Sequence, residues 1–330
     1  MPLPSSGPIS LNDMHIEVGG TSGTTCSLND PDIRALISVG NEANQSIQQY
    51  YGQSSETSLP TGGSTINGQV QLKQIRASDY ISSGGTLRIP SNMWVWSDST
   101  SVAALIIDIP CTIRNDGKII GKGGAGGYAS AGHNGGPAIN VTSSGVTITN
   151  ASGAFIAGGG GGGGASNSSG HYSGGGGGAG GGFGGNANGS PPSLGGDGGI
   201  LNGQGVTPQQ FHPNGTTYYS AGGVGGDAGG GGVVSSNDSN NRSGGGGGGG
   251  RILPGSASST PNSYHFSGGG AGNAGTNGGL YNNYKGSGGG GGWGASGGSG
   301  YYGLSGGSGG AAIQGTSRTL NNSGTIYGST

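Results

Sequence analysis

The chain has 330 residues, of which 89 are glycine, and only 7% of its residues are charged. Its hydrophobic share of 29% is well below that of an ordinary globular domain, so the chain cannot fill the two apolar cores that its length would otherwise suggest. A formal net charge of -2 with only 11 Lys plus Arg argues against a nucleic-acid partner or an anionic membrane.

The N-terminus has no basic segment followed by an apolar one, and no apolar run approaches the roughly 20 residues of a membrane span. We therefore predict synthesis in a cytoplasm, without membrane insertion. The cysteines Cys26 and Cys111 match no metal or redox spacing. A disulfide between them is one alternative; two free, buried thiols are the one that we favour.

Residues 1–60 are predicted to form a small α/β segment. Residues 9–18 can form a strand. The sequence Asn-Asp-Pro-Asp at 29–32 predicts a helix start, because capping residues precede a proline and an acid of the first turn. Apolar residues at i, i+3 and i+4 from Ile33 share one face of that helix. A linker follows at 58–68.

Residues 61–121 are predicted to form a β-strand shoulder domain. Strands are predicted at 87–90 and 93–96. The richest apolar run, Ala-Ala-Leu-Ile-Ile-Asp-Ile at 103–109, has the length and β-branched content of a buried strand, and 111–113 continues it. The third region, 122–330, is dominated by glycine and contains unbroken glycine runs at 158–164 and 244–250.

A short unit of turn, apolar strand and glycine occurs three times. It reads Asn-Asp-Gly-Lys-Ile-Ile-Gly at 115–121, Asn-Ala-Ser-Gly-Ala-Phe-Ile-Ala-Gly at 150–158 and Asn-Ser-Gly-Thr-Ile-Tyr-Gly at 322–328. Upstream of the last two, Gly-Pro-Ala-Ile at 136–139 matches Gly-Ala-Ala-Ile at 310–313. This repeat predicts short stacked strands, as in a solenoid, which the chain leaves for its glycine region and then rejoins.

The glycine region itself is predicted to be a bundle of polyglycine-II helices. Disorder is the simplest alternative, since glycine loses the most backbone entropy on folding, but the framing strands bring both ends of the region together. Collagen is excluded because glycine does not occur at every third residue and the chain has only 14 prolines. A silk-like cross-β stack is disfavoured by the poor strand propensity of glycine. Polyglycine-II helices have no internal hydrogen bonds, so neighbouring helices must supply the partners.

In this arrangement the other segments become loops at the two ends of the bundle. The larger ones lie at 202–221, 233–243 and 251–267. A rigid scaffold with Tyr-, Asn- and Ser-rich loops has the composition of an antibody paratope. The candidate receptor-binding residues are the aromatic residues and one histidine of these loops: Tyr172, Phe211, Tyr218, Tyr219, Tyr264, His265, Phe266, Tyr281, Tyr284, Trp293, Tyr301 and Tyr302. Only about half can face one end if successive helices alternate in direction.

The chain resembles the tip adhesins of long tail fibres in tailed bacteriophages over residues 117–328. The resemblance rests on Gly-Lys-Ile-Ile-Gly-Lys-Gly-Gly-Ala-Gly-Gly at 117–127, on the alternation of glycine runs with Tyr-rich loops, and on Ser-Gly-Thr-Ile-Tyr-Gly at 323–328. It implies a sandwich of polyglycine-II helices whose loops bind a bacterial surface protein or polysaccharide. The opening Ser-Gly-Pro-Ile-Ser-Leu-Asn-Asp at 6–13 is similar instead to openings of phage tail and fibre proteins. It implies attachment of residues 1–60 to another virion protein.

Catalytic and cofactor chemistry is not indicated. The segment Gly-Lys-Gly-Gly at 121–124 lacks the Gly-Lys-Ser/Thr ending of a phosphate loop. The five histidines show no metal-ligand spacing. Asp108, Asp197 and Asp227 do not form a recognisable glycosidase pair, and the last two suit turns. We therefore predict no enzyme, no cofactor and no metal.

The sequence thus predicts a mainly β and irregular fold and a virion tail fibre protein that binds a host receptor. A purely structural virion or surface-layer protein is the main alternative, and a polysaccharide depolymerase is a weaker one. The oligomeric state is left open, with a homotrimer as one expectation.

Overall fold

The computed structural model describes residues 3–37, 39–40, 44–53, 55–62, 65–66, 69–168, 171–185, 209–211, 218–220, 234–235, 272–275, 277–278, 280–281, 284–285, 287–301 and 303–330. In these ranges the chain forms an N-terminal helical unit, a parallel β-solenoid and a bundle of glycine-rich segments. No helix in them is long and apolar enough to cross a membrane.

The N-terminal unit contains three short helices, α1 (Leu11–Glu17), α2 (Pro31–Ala35) and α3 (Ile47–Tyr50). The strand predicted at 9–18 is wrong, because Ser10 begins α1. Its hydroxyl accepts a hydrogen bond from the Asp13 N–H at 3.1 Å, and the Asp13 carboxylate accepts one from the Ser10 N–H at 2.7 Å. This reciprocal capping favours a helix over the strand propensity of a short apolar run.

The predicted helix start at residues 29–32 is confirmed by α2. Pro31 is its first residue and Asp30 its N-cap, although the Asp30 carboxylate accepts from the Ser27 N–H at 2.8 Å instead of capping the first turn. The predicted apolar face is also present, since Ile33 and Leu36 are buried.

A separate apolar cluster holds the N-terminal unit together. Ile33 and Leu36 pack with Leu3, Met14 and Tyr50. The described elements of this unit are helices, and the first strand, β1 (Glu56–Ser58), pairs within the solenoid. The predicted α/β character of this segment is therefore corrected to a helical one.

Three sheets form the solenoid. In spatial order, sheet I contains β1 (Glu56–Ser58), β5 (Thr86–Ile89), β8 (Thr112–Asn115), β11 (Val146–Asn150) and β21 (Arg318–Asn322). Sheet II contains β2 (Thr65–Ile66), β3 (Gln69–Lys73), β6 (Met93–Trp96), β9 (Lys118–Ile120), β12 (Phe155–Ala157) and β22 (Thr325–Tyr327). Sheet III contains β20 (Ile313–Gly315), β10 (Ile139–Val141), β7 (Leu105–Ile107) and β4 (Ile75–Arg76). All neighbours pair in parallel except β2 and β3.

Four coils of the solenoid each contribute one strand to each sheet, the last coil contributes only β21 and β22, and alternate residues point inward. The strands predicted at 87–90, 93–96 and 103–109 correspond to β5, β6 and β7, but residues 111–113 do not continue β7, because they lead into β8 of sheet I. The inward residues of successive coils stack in register, for example Leu87, Ile113 and Ile148 in sheet I. These side chains belong to one continuous buried cluster at the solenoid axis. The main apolar core of the protein is therefore the interior of the solenoid.

The three predicted repeat units occupy equivalent positions in successive coils, as expected for stacked strands. Strand β12 lies between β9 and β22, and β11 lies between β8 and β21. The asparagines that open the three units form a ladder, in which Asn115 and Asn150 are buried. The Asn115 amide donates to the Asn150 side-chain oxygen at 2.8 Å, and the Asn150 amide donates to that of Asn322 at 2.8 Å.

The chain leaves the solenoid for the glycine bundle twice, at residues 121–138 and at residues 158–312. Both of these glycine excursions start at the same corner, between sheets II and III. At this corner β3 is joined to β4 by the single residue Gln74, and β6 is joined to β7 by residues 97–104. In the next coil the corner is residues 121–138, and in the last it is residues 158–312. The chain then returns to β20 and completes another coil, as the repeat predicts.

The two free cysteines lie in different units. Cys111 is buried in the solenoid and Cys26 is half-buried in the N-terminal unit, and no disulfide joins them. Burial, assisted by the charge of Asp108, raises the pKa of the Cys111 thiol to about 11. The prediction of free thiols is confirmed, although Cys26 is less buried than expected.

Residues 158–164 form the centre of the glycine bundle. The N–H groups of residues 159–164 donate in turn to carbonyl oxygens of three segments, 130–136, 176–179 and 295–298, and each segment is used again after three residues. The carbonyl groups of residues 158–164 accept hydrogen bonds from three other segments, 121–127, 288–294 and 307–310, with the same three-residue period. The hydrogen bonds of residues 159–164 measure 2.7–2.9 Å. A backbone without side chains is therefore surrounded by six neighbours, each joined to it by lateral bonds.

Close approach of backbones in the bundle requires glycine. A Cβ on Gly162 would lie well under 3.0 Å from the Ala125 carbonyl, whereas Gly62 has nothing within 4 Å of that position. We predict that Gly162→Ala lowers the melting temperature, because the bonds to His133 and Gly307 contribute about 1 kcal/mol each and both backbones must move. Gly62→Ala is the matched control and should change stability by less than about 0.5 kcal/mol. Equal melting temperatures for the two variants would contradict a close-packed bundle.

The asparagine ladder should stabilise the fold more than an exposed asparagine side chain does. We expect Asn150→Ala to cost about 2–4 kcal/mol, because it removes three hydrogen bonds and leaves the buried Asn115 amide with only a 3.4 Å contact to the Phe155 carbonyl. Asn140→Ala, on the half-exposed face of β10, is the control. Thermal denaturation followed by circular dichroism compares them, and a smaller loss for Asn150→Ala than for Asn140→Ala would refute the ladder's role.

Candidate functional site

The bundle has a base on the solenoid and a distal end. At the base, Gly158 donates to the Tyr327 carbonyl of β22 and accepts from Gly294. At the other end of the central segment, Ala165 donates to Ser130, and Gly288 donates to Gly164. The hydrogen-bond register therefore fixes which loops lie at each end.

The segments alternate in direction, as the sequence analysis anticipated. Segments 121–127 and 295–298 run parallel to 158–164, whereas 130–136, 176–179, 288–294 and 307–310 run antiparallel to it. Turns at 180–181 and 293–294 consequently lie at the base. Among the described residues, 128–130, 165–168, 171–174, 287 and 301 lie at the distal end.

Two hairpins occupy the distal end. Strand β13 (Ser166–Ser168) pairs with β14 (His171–Ser173), and β18 (Leu280–Tyr281) pairs with β19 (Tyr284–Lys285). Strands β13 and β19 are in contact, and the Ser166 N–H donates to the Ser287 hydroxyl at 3.0 Å. The hairpins therefore stand side by side on the bundle.

Several predicted residues come together at this end. Tyr172 lies in β14, and Tyr281 and Tyr284 form a cross-strand pair. Tyr301 lies in the neighbouring turn and is half-buried. Tyr128, which is 47% exposed in the first distal turn, also lies here, although it is not among the predicted residues. Residues 121–136 form a pair of bundle segments like the later pairs, and this pattern would have indicated Tyr128 as a residue of the connecting turn.

Three more predicted residues lie in a separate small sheet. Phe211, Tyr218 and Tyr219 belong to a small antiparallel sheet of β15 (Gln209–Phe211), β16 (Tyr218–Ser220) and β17 (Val234–Ser235). The remaining four lie outside the described residues: Tyr264, His265, Phe266 and Tyr302. The predicted loops at 202–221, 233–243 and 251–267, the second glycine run at 244–250, and Asp197 and Asp227 also fall wholly or largely outside them.

Trp293 is at the base instead of the distal end. Its indole is 1% exposed and stacks on Phe155 with ring centroids 5.0 Å apart. Tyr327 lies at 5.9 Å from it, and Trp94 meets the other side of Phe155 edge-on at 5.5 Å. These four residues, called the aromatic junction below, fasten the bundle to the outer face of sheet II.

A cation contributes to the aromatic junction. The Lys118 ammonium lies 5.4 Å from the centre of the Trp94 ring and 5.7 Å from that of Phe155. Such contacts contribute about 0.5–2 kcal/mol, depending on how far the cation is desolvated. The junction therefore combines apolar burial with electrostatic attraction.

A shallow polar groove of about 510 Å³ lies on the outer face of sheet I. Its charged residues are Glu56 and Arg114, which form an ion pair at 3.0 Å. Arg114 also contacts Asp116, which Arg88 holds at 2.7 Å. Burial lowers the pKa of the Arg114 guanidinium, but the bonds and charges of Glu56 and Asp116 outweigh it and raise the pKa overall. These carboxylates are thus engaged with arginines. Across the described part of the chain, no group of three His, Cys, Asp or Glu side chains could hold a metal ion.

Comparison with known proteins identifies the family. The family model described as phage tail fibre adhesin Gp38 matches residues 64–238, more than half of the chain. Among solved structures, the gp37-gp38 adhesin tip complex of the bacteriophage S16 long tail fiber is similar, at 17% identity and a TM-score of 0.48, over 98% of this chain and 99% of that one. No curated protein matches the sequence. The chain belongs to the phage tail fibre adhesin Gp38 family, and its place is therefore in the tail fibre of a virion.

Proposed function

We propose that this adhesin binds a host-cell surface receptor, an outer-membrane protein or a surface polysaccharide, through the distal end of its glycine bundle. One observation carries the proposal. The alternating segments bring separate aromatic loops to a single surface, at the end of the bundle away from the solenoid. Membership of an adhesin family supports a structural, non-enzymatic role.

The scaffold of this surface is, in our proposal, a bundle of polyglycine-II helices. The support is the three-residue period of the lateral hydrogen bonds around residues 158–164, because a polyglycine-II helix has three residues per turn. Such a helix rises about 3.1 Å per residue, so a seven-residue run raises the loops by roughly 22 Å. The loops are then held away from the solenoid on a backbone that cannot bend freely.

The distal residues suit recognition. Tyrosine offers a large contact area with few torsions, while the serine and asparagine around it adapt their hydrogen bonds. Tyr128, Tyr172, Tyr281, Tyr284 and Tyr301 form the core of the proposed surface. Other residues are proposed to extend it from the longer loops: Phe211, Tyr218, Tyr219, Tyr264, His265, Phe266 and Tyr302.

Adsorption to host cells tests this surface. Replacing Tyr128, Tyr172, Tyr284 or Tyr301 singly by Ala should, for at least two of the four, reduce adsorption by about tenfold or more, which corresponds to about 1.4 kcal/mol. The melting temperature should stay constant, because these residues lie beyond the last lateral bonds. Phe183→Ala is the control, since Phe183 is 63% exposed on the flank of the bundle.

Normal adsorption by all four folded variants would remove the receptor-binding proposal. A purely structural virion protein would then be the better description. Reduced adsorption together with a lowered melting temperature would also count against the surface, since the loss would then follow from unfolding.

We further propose that residues 1–60 attach the adhesin to another tail fibre protein. A homotrimer of the chain stays a prediction. The support for attachment is the separate apolar cluster of the helical unit. Two large apolar side chains are also exposed there, Ile16 at 46% in α1 and Ile47 at 40% in α3. Contiguous apolar patches mark partner surfaces, and we propose that Ile16 and Ile47 belong to such a patch.

Virion incorporation tests the attachment. Ile16→Lys and Ile47→Lys should each reduce the amount of adhesin on purified particles several-fold, because a charge would be buried at the interface. Val102→Lys is the matched control, as Val102 is 39% exposed in a corner of the solenoid. Wild-type incorporation of both isoleucine variants would show that attachment lies elsewhere.

A further inference from the structure

We propose that Trp293 is a positioning residue that pins the register of the bundle and so holds the distal aromatic loops at a fixed height. This inference rests on the proposed receptor-binding function. Trp293 lies at the base of the bundle, and its side chain would leave its pocket if its segment slid along the neighbouring glycine segments.

The lateral hydrogen bonds alone do not select one register. Residues 159, 162 and 165 donate to residues 136, 133 and 130, so the pattern repeats every three residues. A slide of one turn, about 9 Å at 3.1 Å per residue, restores equivalent bonds. Register is weakly specified wherever a chain is rich in glycine and lacks side chains that distinguish one alignment from another.

Four segments are tied covalently to the solenoid at the base. Residues 121 and 158 follow β9 and β12 directly, while segments 130–136 and 304–310 lead into β10 and β20. The pair of segments 287–292 and 295–300 has no such covalent tie, and among the described residues it meets the base through the turn at 293–294. That pair leads at its distal ends to the β18–β19 hairpin and to the turn at 301–303.

Trp293 supplies the missing tie. Its indole stacks on Phe155, which lies in the strand leading into the central segment. It also contacts Tyr327 of β22. Gly294 donates to Gly158 at 2.8 Å with φ +66, and a Cβ there would overlap Gly328. A slide of one turn would carry the indole out of this pocket and break the stack. The free energy of burying a Trp side chain therefore selects one register.

Spin-label distances in the full-length protein test this directly. Labels on Ser130→Cys, at the distal end, and Ser296→Cys, near the base, report the position of segment 295–300. Cys26 is replaced by Ser, while Cys111 can stay because its thiol is buried and its pKa is raised to about 11. In the protein with wild-type Trp293, we expect one narrow distance distribution.

Trp293→Leu keeps a buried apolar side chain but removes the stack, and it should give a second population displaced by up to about 9 Å. Adsorption should fall by about tenfold. Trp293→Phe restores stacking on Phe155 and should recover both the single distribution and adsorption. The indole N–H of Trp293 has no hydrogen-bond partner among the described residues, so Phe loses no polar contact.

A folded Trp293→Leu protein with the wild-type distance distribution would overturn the proposal, whatever its adsorption. So would failure of both the Leu and Phe variants to fold, because Trp293 would then serve stability alone. A displaced distribution with normal adsorption would support the pinning of register and place the receptor surface elsewhere. The labels therefore separate failure of this inference from failure of the proposed function.

Discussion

The structure depends on the close approach of glycine backbones. Around residues 158–164, every lateral partner lies at hydrogen-bond distance only because no Cβ intervenes. A peptide backbone whose polar groups point sideways must find partners for all of them, and six surrounding segments provide these partners. The ordering entropy of glycine is high, so such a bundle needs many bonds made together and firm support at its ends.

The solenoid provides that support. Its interior contains the main apolar core, and its strands β10, β12 and β20 lie next to the first and last glycine segments. Both excursions leave at one corner, so the segments start side by side and the entropic cost of bringing them together is reduced. The return of the chain to β20, β21 and β22 closes the arrangement with parallel pairing and an asparagine ladder.

Stability and recognition are consequently separated in space. Apolar burial is concentrated in the solenoid and the aromatic junction, while the proposed recognition surface lies at the far end of the bundle. Because the bundle is held by backbone bonds, its stability depends little on the side chains of the distal loops. Those loops can therefore change in sequence at small cost to the fold.

The sequence alone determined the β-solenoid and the glycine excursion. The Asn–apolar–Gly unit recurs because stacked coils need the same turn and the same inward side chains, so the repeat itself predicted the register of β9, β12 and β22. It did not predict α1, because the reciprocal cap between Ser10 and Asp13 outweighs an apolar pattern that suits either structure. It also could not assign the ends of the bundle. Whether an aromatic residue faces solvent or the solenoid depends on segment direction, which glycine does not encode. Only the hydrogen bonds between distant segments placed Trp293 at the base and Tyr128 at the distal end.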